Sequence, residues 1–135
     1  MALPIRVEVS VNARTYAKVI GVVLLALGAA GLVLGDQLVG LLNIEIVEDV
    51  VHLAIGAVLA FIGFGMRDSA TGRMVAGIIG ISLLVVGVVG FIDPKLFGLL
   101  PNVGYTWLDN VVHLALGALG AYVGFMGPRE AMTAA

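Results

Sequence analysis

The sequence predicts an all-α protein, a bundle of four membrane-spanning helices, and two observations lead to this fold class. Of the 135 residues, 61% are hydrophobic and only 12% are charged, whereas soluble domains carry about a quarter charged residues. The mean hydropathy is +1.14, and the apolar residues fall into four long blocks. These blocks lack the alternation of barrel strands, so helices must satisfy their backbone groups in lipid.

Each block is long enough to cross a membrane, because about 20 apolar residues span a hydrocarbon core of ~30 Å. The predicted spans cover about residues 16–34, 47–66, 74–92 and 108–126. Together they form a membrane domain at 16–127, between an N-terminal arm at 1–15 and a C-terminal tail at 128–135. The arm carries Arg6, Glu8 and Arg14 and has no apolar core, so it does not resemble a secretory signal.

The basic residues predict the orientation, because Lys and Arg are enriched in cytoplasmic segments. Lys95 and most of the acidic residues fall on one predicted side of the membrane. The other basic residues fall on the opposite side: Arg6, Arg14, Lys18, Arg67, Arg73 and Arg129. We therefore expect both termini in the cytoplasm and both long loops outside. The membrane itself is expected to be the cytoplasmic membrane of a bacterium or archaeon.

The two long loops both contain the apolar sequence GLL, at residues 40–42 and 98–100. Apolar residues in a loop favour a position on the bilayer surface or a fold back over the bundle, and an unstructured loop remains open as the alternative. Tyr105 and Trp107 precede the fourth span, where interfacial aromatic residues are common.

The chain resembles one unit of about 60 residues written twice. Repeat one covers about residues 17–66 and repeat two about residues 74–127. The closest match pairs EDVVHLAIGAVLAFIGF at 48–64 with DNVVHLALGALGAYVGF at 109–125, and more than half of the positions are identical. Because each unit holds two spans, the two units are expected to be parallel repeats with the same orientation.

Small residues recur in the predicted helices and indicate close packing, because helices in lipid associate through backbone contact. Packing within the bundle is the main expectation. Contact with another copy of the chain and room for a flat cofactor remain open as alternatives. The glycines concerned are Gly31, Gly35, Gly56, Gly117, Gly120 and Gly124.

The only two histidines occupy equivalent positions in the two repeats and follow polar residues at helical spacing. In each repeat an acid lies four residues before the histidine, and an acid or amide lies three before it. Residues three or four apart share a helix face, so each histidine is expected to meet a carboxylate near the outer end of its span. The candidate residues are Glu48, Asp49, His52, Asp109, Asn110 and His113.

Four interpretations of these residues are open. First, they cap the helix starts and anchor the outer loops. Second, the histidines ligate a haem or chlorin, whose metal accepts imidazole. Third, histidines and acids bind a divalent metal such as Zn²⁺ or Cu²⁺. Fourth, they relay protons or sense pH, because histidine titrates near neutrality.

The composition argues against several function classes. Without cysteine, the chain has no disulfide framework, no thiolate metal site and no cysteine nucleophile. A net charge of −2 gives no reason to expect nucleic-acid binding. The chain also lacks a phosphate-binding loop and a helix-borne H-E-x-x-H motif, so no enzymatic activity is expected.

Three segments resemble a known family: EDVVHLAIG at 48–56, PNVGYTWLDNVVHLALG at 101–117 and GVVGFI at 87–92. They are similar to the small bacterial four-helix membrane proteins grouped as domain-of-unknown-function family 4383. The hallmark of that family is an Asn- or Asp-rich turn leading into a VH-L-x-x-G helix in the second and fourth spans. The resemblance covers most of residues 17–127 and implies an integral membrane protein, without implying a substrate.

The leading function hypothesis is a non-enzymatic integral membrane protein without a cofactor. It would serve as an accessory or structural subunit, associating through its glycine-lined faces with another copy or a larger membrane complex. The alternative is binding of haem, chlorin or a divalent metal by His52 and His113. A second alternative is a small transporter or pH-responsive membrane protein. In each case membrane lipid surrounds the chain.

Overall fold

The structure, a computed structural model, describes residues 11–35 and 45–129. Within these residues the fold is all-α and has no strand. Its long helices are α1 (Ala13–Leu34), α2 (Ile46–Ala60), α3 (Ser69–Ile92) and α4 (Trp107–Ala121). One π-helical turn follows α2 and another follows α4, at Phe61–Gly65 and Tyr122–Met126, and a 3-10 turn, Leu96–Gly98, lies between α3 and α4. Residues 1–10 of the predicted arm, the loop segment 40–42 and residues 130–135 of the predicted tail lie outside the described residues.

All four helices, counted with the π-helical turns, are long and apolar enough to span a membrane. They contain 20 to 24 residues, and only 28% to 33% of the apolar window of each is buried within the protein. Most of their aliphatic surface therefore faces outward, which is favourable in lipid because the lipid tails are equally apolar. The prediction of four apolar helices able to cross a membrane is confirmed, and the fold fits a multi-pass integral membrane protein.

Two helices begin earlier than their apolar residues alone predict, because polar side chains cap them. α1 begins at Ala13 rather than residue 16, because the Asn12 side chain accepts a hydrogen bond from the Thr15 N–H at 2.9 Å. α3 begins at Ser69 rather than residue 74, because Asp68 accepts hydrogen bonds from the backbone N–H groups of residues 70 and 71. Both caps satisfy donors that have no partner within the helix.

The helices pack as two pairs, α1 with α2 and α3 with α4, and the pairs meet mainly along α1 and α3. Glycines bring the backbones of each pair close together. A Cβ on Gly21 would lie 2.6 Å from the backbone nitrogen of Ala60, and one on Gly80 would lie 2.6 Å from the carbonyl carbon of Gly120. Because α2 and α4 have little direct contact, a gap remains between the two pairs.

A small core joins the pairs at the end of the bundle that carries the described termini. It includes Ala17, Leu59, Ala76 and Val123, which are all fully buried. The Tyr16 hydroxyl, buried in the same core, donates a hydrogen bond to the carbonyl oxygen of residue 116 on α4 at 3.1 Å. This bond ties α1 to α4 and satisfies a polar group that would be costly to bury alone.

The loop between α3 and α4 has one apolar face turned toward the bundle. Leu100 is only 3% exposed, whereas Phe97 and Leu99 are largely exposed. Two bonds fix the turn, in which the Asp93 carboxylate accepts hydrogen bonds from the backbone N–H groups of Lys95 and Phe97 at 3.0 and 2.9 Å. Leu100 thereby covers part of the end of the bundle at which α2 and α4 begin, which is called the outer end below.

Candidate functional site

Two histidines meet in the gap between the helix pairs, near the outer end. His52 on α2, His113 on α4 and Glu48 on α2 each offer a ligand atom, and these atoms all lie within 4.8 Å of one another. Nε2 of His52 lies 3.6 Å from Oε1 of Glu48, as expected for residues four apart on one helix face. The alternative hypothesis of a shared ligand requires the two imidazoles to converge, and they do.

These three groups, called the His–Glu cluster below, are largely removed from solvent. Glu48 is 6% exposed and His113 is 9% exposed, while the His52 side chain is 19% exposed. An ionised carboxylate in such surroundings is costly unless a cation, a proton or hydrogen-bond donors compensate for its charge. A bound cation is one of the groups that can compensate for such a charge.

His113 packs against Tyr105, with ring centroids 4.7 Å apart and 55° between the ring planes. Burial raises the pKa of Tyr105, and the carboxylates of Glu48 and Asp109 raise this pKa further, so the phenol stays neutral at physiological pH. Nδ1 of His113 is buried and has no hydrogen-bond partner among the described residues. An atom of this kind can be satisfied by a water, an ion or a ligand.

Asp109, the acid four residues before His113, takes part in a helix cap. Its Oδ2 accepts hydrogen bonds from the backbone N–H and the hydroxyl of Thr106, both at 2.8 Å. The Thr106 hydroxyl oxygen in turn accepts from the Asp109 N–H at 3.2 Å, which completes a capping box at the start of α4. The two acids at equivalent positions therefore differ in role, because Glu48 lies with the histidines and Asp109 holds the cap.

Asp49 and Asn110 pack against a glycine of the neighbouring helix. A Cβ on Gly31 would collide with the Asp49 carboxylate, and one on Gly90 would collide with the Asn110 amide oxygen. Both polar side chains are buried, at 6% and 2% exposure. Neither caps its helix, since α2 has no side-chain cap and Thr106 caps α4. Both side chains instead lie at the contact between the two helices of a pair.

The predicted packing glycines are mostly covered by the chain itself. Gly35 is the exception, because it ends α1 with a φ of 49° and its side-chain position has no neighbour within 4 Å. The remaining ones lie against the chain's own residues: Gly31, Gly56, Gly117, Gly120 and Gly124. Most of the glycine-lined surface that the sequence predicts for contact with another protein is therefore buried within the bundle.

Sequence reasoning misses one buried acid, Glu45, which precedes α2 and is 1% exposed. Its Oε1 accepts hydrogen bonds from the backbone N–H groups of Asn102, Val103 and Gly104 at 2.8, 2.7 and 3.1 Å. Its Oε2 accepts one from the Asn102 side chain at 3.1 Å. Burial acts to raise the pKa of Glu45, but these donors outweigh it and hold the pKa below its ordinary value. No local pattern signals these donors, which lie 57 to 59 residues away.

A cavity of about 430 Å³ extends from the His–Glu cluster into the bundle. Polar groups lie at its outer end, and aliphatic side chains from all four helices form its walls. Its volume falls in the range of small-molecule sites, roughly 300–1,000 Å³. The loop between α3 and α4 contributes four residues to the lining, Leu96, Leu99, Leu100 and Tyr105.

No family model matches this chain, and neither a curated protein nor a solved structure shows significant similarity to it.

Proposed function

We propose that this chain is a non-enzymatic integral membrane protein that binds a divalent metal ion through Glu48, His52 and His113. The observation that carries the proposal is the convergence of these three ligand atoms within 4.8 Å of one another. Ligand atoms that each lie about 2.1 Å from a tetrahedral Zn²⁺ ion are about 3.4 Å apart. The ligand atoms of the cluster must therefore approach one another by up to about 1.4 Å to hold an ion.

The ligand types narrow the choice of metal. Two imidazoles and one carboxylate suit Zn²⁺ or Cu²⁺, whereas Mg²⁺ and Ca²⁺ prefer oxygen ligands. A bound dication would also compensate for the buried charge of Glu48. Three protein ligands leave a further coordination position for water or another ligand.

Haem or chlorin is less well supported by the same geometry. A macrocycle supplies its own in-plane ligands and needs only axial imidazoles from the protein. It would not use the buried Glu48 carboxylate as a ligand, although this group lies inside the His–Glu cluster. A small ion uses all three groups.

The internal repeat of the bundle and its orientation in the membrane are also part of the proposal. We propose that α1–α2 and α3–α4 are parallel repeats, with both termini in the cytoplasm and the metal site near the outer surface. Equivalent contacts support the repeat, because Asp49 meets Gly31 in the first pair as Asn110 meets Gly90 in the second. Arg67 in the loop before α3 and Arg73 near the start of α3 lie at the end opposite the His–Glu cluster, and these basic residues support the orientation.

We also propose a role as an accessory subunit, but with a contact surface that differs from the glycine-lined faces that the sequence predicts. Most of the predicted glycine faces are covered within the bundle. A homo-oligomer or a larger complex would therefore form through the exposed aliphatic faces of the helices, in competition with membrane lipid.

Calorimetric titration of Zn²⁺ into protein in mild detergent tests the metal site. We expect one ion per chain, and each of Glu48→Gln, His52→Gln and His113→Gln should weaken binding at least about tenfold, or about 1.4 kcal/mol. Asp49→Asn is the matched control, because Asn110 fills the corresponding place in the second helix pair and Asp49 lies outside the cluster. Absence of stoichiometric binding, or equal loss in the control, would refute the proposed site.

A further inference from the structure

The cavity behind the His–Glu cluster is elongated along the bundle. On α1 its lining runs from Gly35 to Ile20, a distance of roughly 22 Å at about 1.5 Å per residue. It also reaches Ile79 on α3 and Leu116 on α4. Its length and volume fit one slender molecule better than a compact one.

The polar and the apolar residues of the cavity lining lie at different depths. His52, His113 and Tyr105 lie at the outer end, together with acidic residues, whereas the deeper walls are aliphatic. Ser82, the polar residue at mid-depth, already donates its hydroxyl hydrogen to the carbonyl oxygen of residue 78 at 2.9 Å. The deep lining includes Ile20, Leu24, Ile55, Ile79, Val86 and Leu116. Such a division suits a molecule with one polar end and an apolar body.

The charges at the outer end of the cavity determine which polar head group can bind there. Three carboxylates line the outer end, those of Glu48, Asp49 and Asp109, and no Lys or Arg is among the described lining residues. A carboxylate or phosphate head would be repelled there. An uncharged hydroxyl can donate a hydrogen bond to a carboxylate or an imidazole nitrogen, and it can be carried into an apolar cavity at lower cost than an ion.

We propose that, in the metal-free protein, this cavity binds one membrane-dissolved amphiphile with a hydroxyl head and a slender apolar body. The head lies at the His–Glu cluster and the body lies between the helix pairs. The inference goes beyond metal binding and does not depend on it, since it concerns the protein without an ion.

Photo-crosslinking with two matched probes tests the inference. The probes are dodecanol and dodecanoic acid, each carrying a diazirine on the chain, added to protein in neutral-lipid nanodiscs with EDTA. We expect the alcohol to label cavity residues such as Ile55 and Leu116, with one probe per chain at saturation. The acid should label these residues at least about tenfold less, which corresponds to about 1.4 kcal/mol.

Two variants separate the cavity from the lipid-facing surface. Val86→Trp places a large side chain on the cavity wall and should reduce alcohol labelling several-fold. Val85→Trp adds the same side chain at the neighbouring position, which is 56% exposed and outside the lining, and should leave labelling unchanged. Thermal unfolding confirms that each variant is folded.

Other results would overturn the inference. Equal labelling by alcohol and acid would show that lipid chains enter without recognition of the head. Labelling confined to outward-facing residues such as Val58 and Val88 would show that the cavity is not a binding site. Preservation of alcohol labelling in folded Val86→Trp would have the same meaning.

Discussion

Glu45 shows how much one side chain can organise at the outer end of the bundle. Its carboxylate joins the start of α2 to residues 102–104 of the loop before α4, although few other contacts connect these two helices. Each bond has a charged acceptor, and such bonds are among the stronger ones in proteins. We call this arrangement the Glu45 clamp.

Removal of the Glu45 clamp should destabilise the protein. Glu45→Ala leaves the buried N–H of Gly104 without its carboxylate, and loss of bonds to a charged group costs about 1.5–3 kcal/mol. Thermal unfolding in detergent, followed by circular dichroism, measures the change. Glu45→Gln keeps the size and one acceptor oxygen, so its loss should be smaller. A stability of Glu45→Ala equal to that of the wild type would show that the clamp contributes nothing.

The same residue predicts a pH dependence. Because the pKa of folded Glu45 lies below its ordinary value of 4.5, its stabilisation is complete above that value and is lost as the pH falls through the folded pKa. Unfolding temperatures between neutral pH and about pH 3 should therefore drop more steeply for the wild type than for Glu45→Gln. Parallel curves for the two proteins would contradict this assignment.

The sequence predicts part of the site at the scale of residues. Spacing places Glu48 and His52 on one helix face, and the internal repeat gives His113 a matching depth. It does not show that Asp109 is held by Thr106, because a capping box and a histidine contact share the same local spacing. It also cannot reveal the Glu45 clamp, whose donors are distant in the chain.

At the scale of elements, glycines determine how closely the paired helices approach. Gly80→Ala should be destabilising, because its Cβ would lie 2.6 Å from the backbone carbon of Gly120 and 2.8 Å from the carbonyl oxygen of Gly117. Overpacking of this kind costs roughly 1–3 kcal/mol. Gly72→Ala is the matched control on the same helix, because its Cβ would meet only a methyl group of Ile62, at 3.4 Å.

Thermal unfolding of both alanine variants measures this effect. Gly72→Ala should be neutral or slightly stabilising, by up to about 1 kcal/mol, since alanine favours helix more than glycine does. If the two variants had the same stability, close packing between α3 and α4 would not be what Gly80 provides.

The sequence predicts which segments are helical more reliably than it predicts the residues at which each helix begins and ends. The apolar blocks place the ends of α1 and α3 at Leu34 and Ile92, and the structure agrees. Their starts depend on Asn12 and Asp68, whose caps lie among polar residues that an apolar window ignores. The π-helical turns after α2 and α4 have no signal in the apolar pattern either.

At the scale of the whole molecule, the proposed orientation can be tested directly because the chain has no cysteine. Pro101→Cys places a single thiol at an exposed position of the loop between α3 and α4, and Ala70→Cys places one at an exposed position in the first turn of α3, at the opposite end of the bundle. A membrane-impermeant maleimide should label Pro101→Cys in intact cells, and Ala70→Cys only after permeabilisation. The reverse pattern would show that the bundle is inserted the other way round.

The composition predicts the architecture because lipid leaves few alternatives to a helix bundle. The arrangement of the four helices is harder to predict. Glycine spacing shows that helices approach closely but not which helices meet, and it gives no indication of the gap between α2 and α4. The cavity is a consequence of that gap, so no residue pattern could reveal it.

The Glu45 clamp also has a consequence in time. The ribosome adds about 5 to 20 residues per second, so Glu45 is made roughly 3 to 12 s before the residues at 102–104 that bind it. During that interval the carboxylate has to stay hydrated at the lipid–water boundary. The first helix hairpin can therefore insert early but has to wait for the second, and synthesis from N to C terminus imposes an order on assembly.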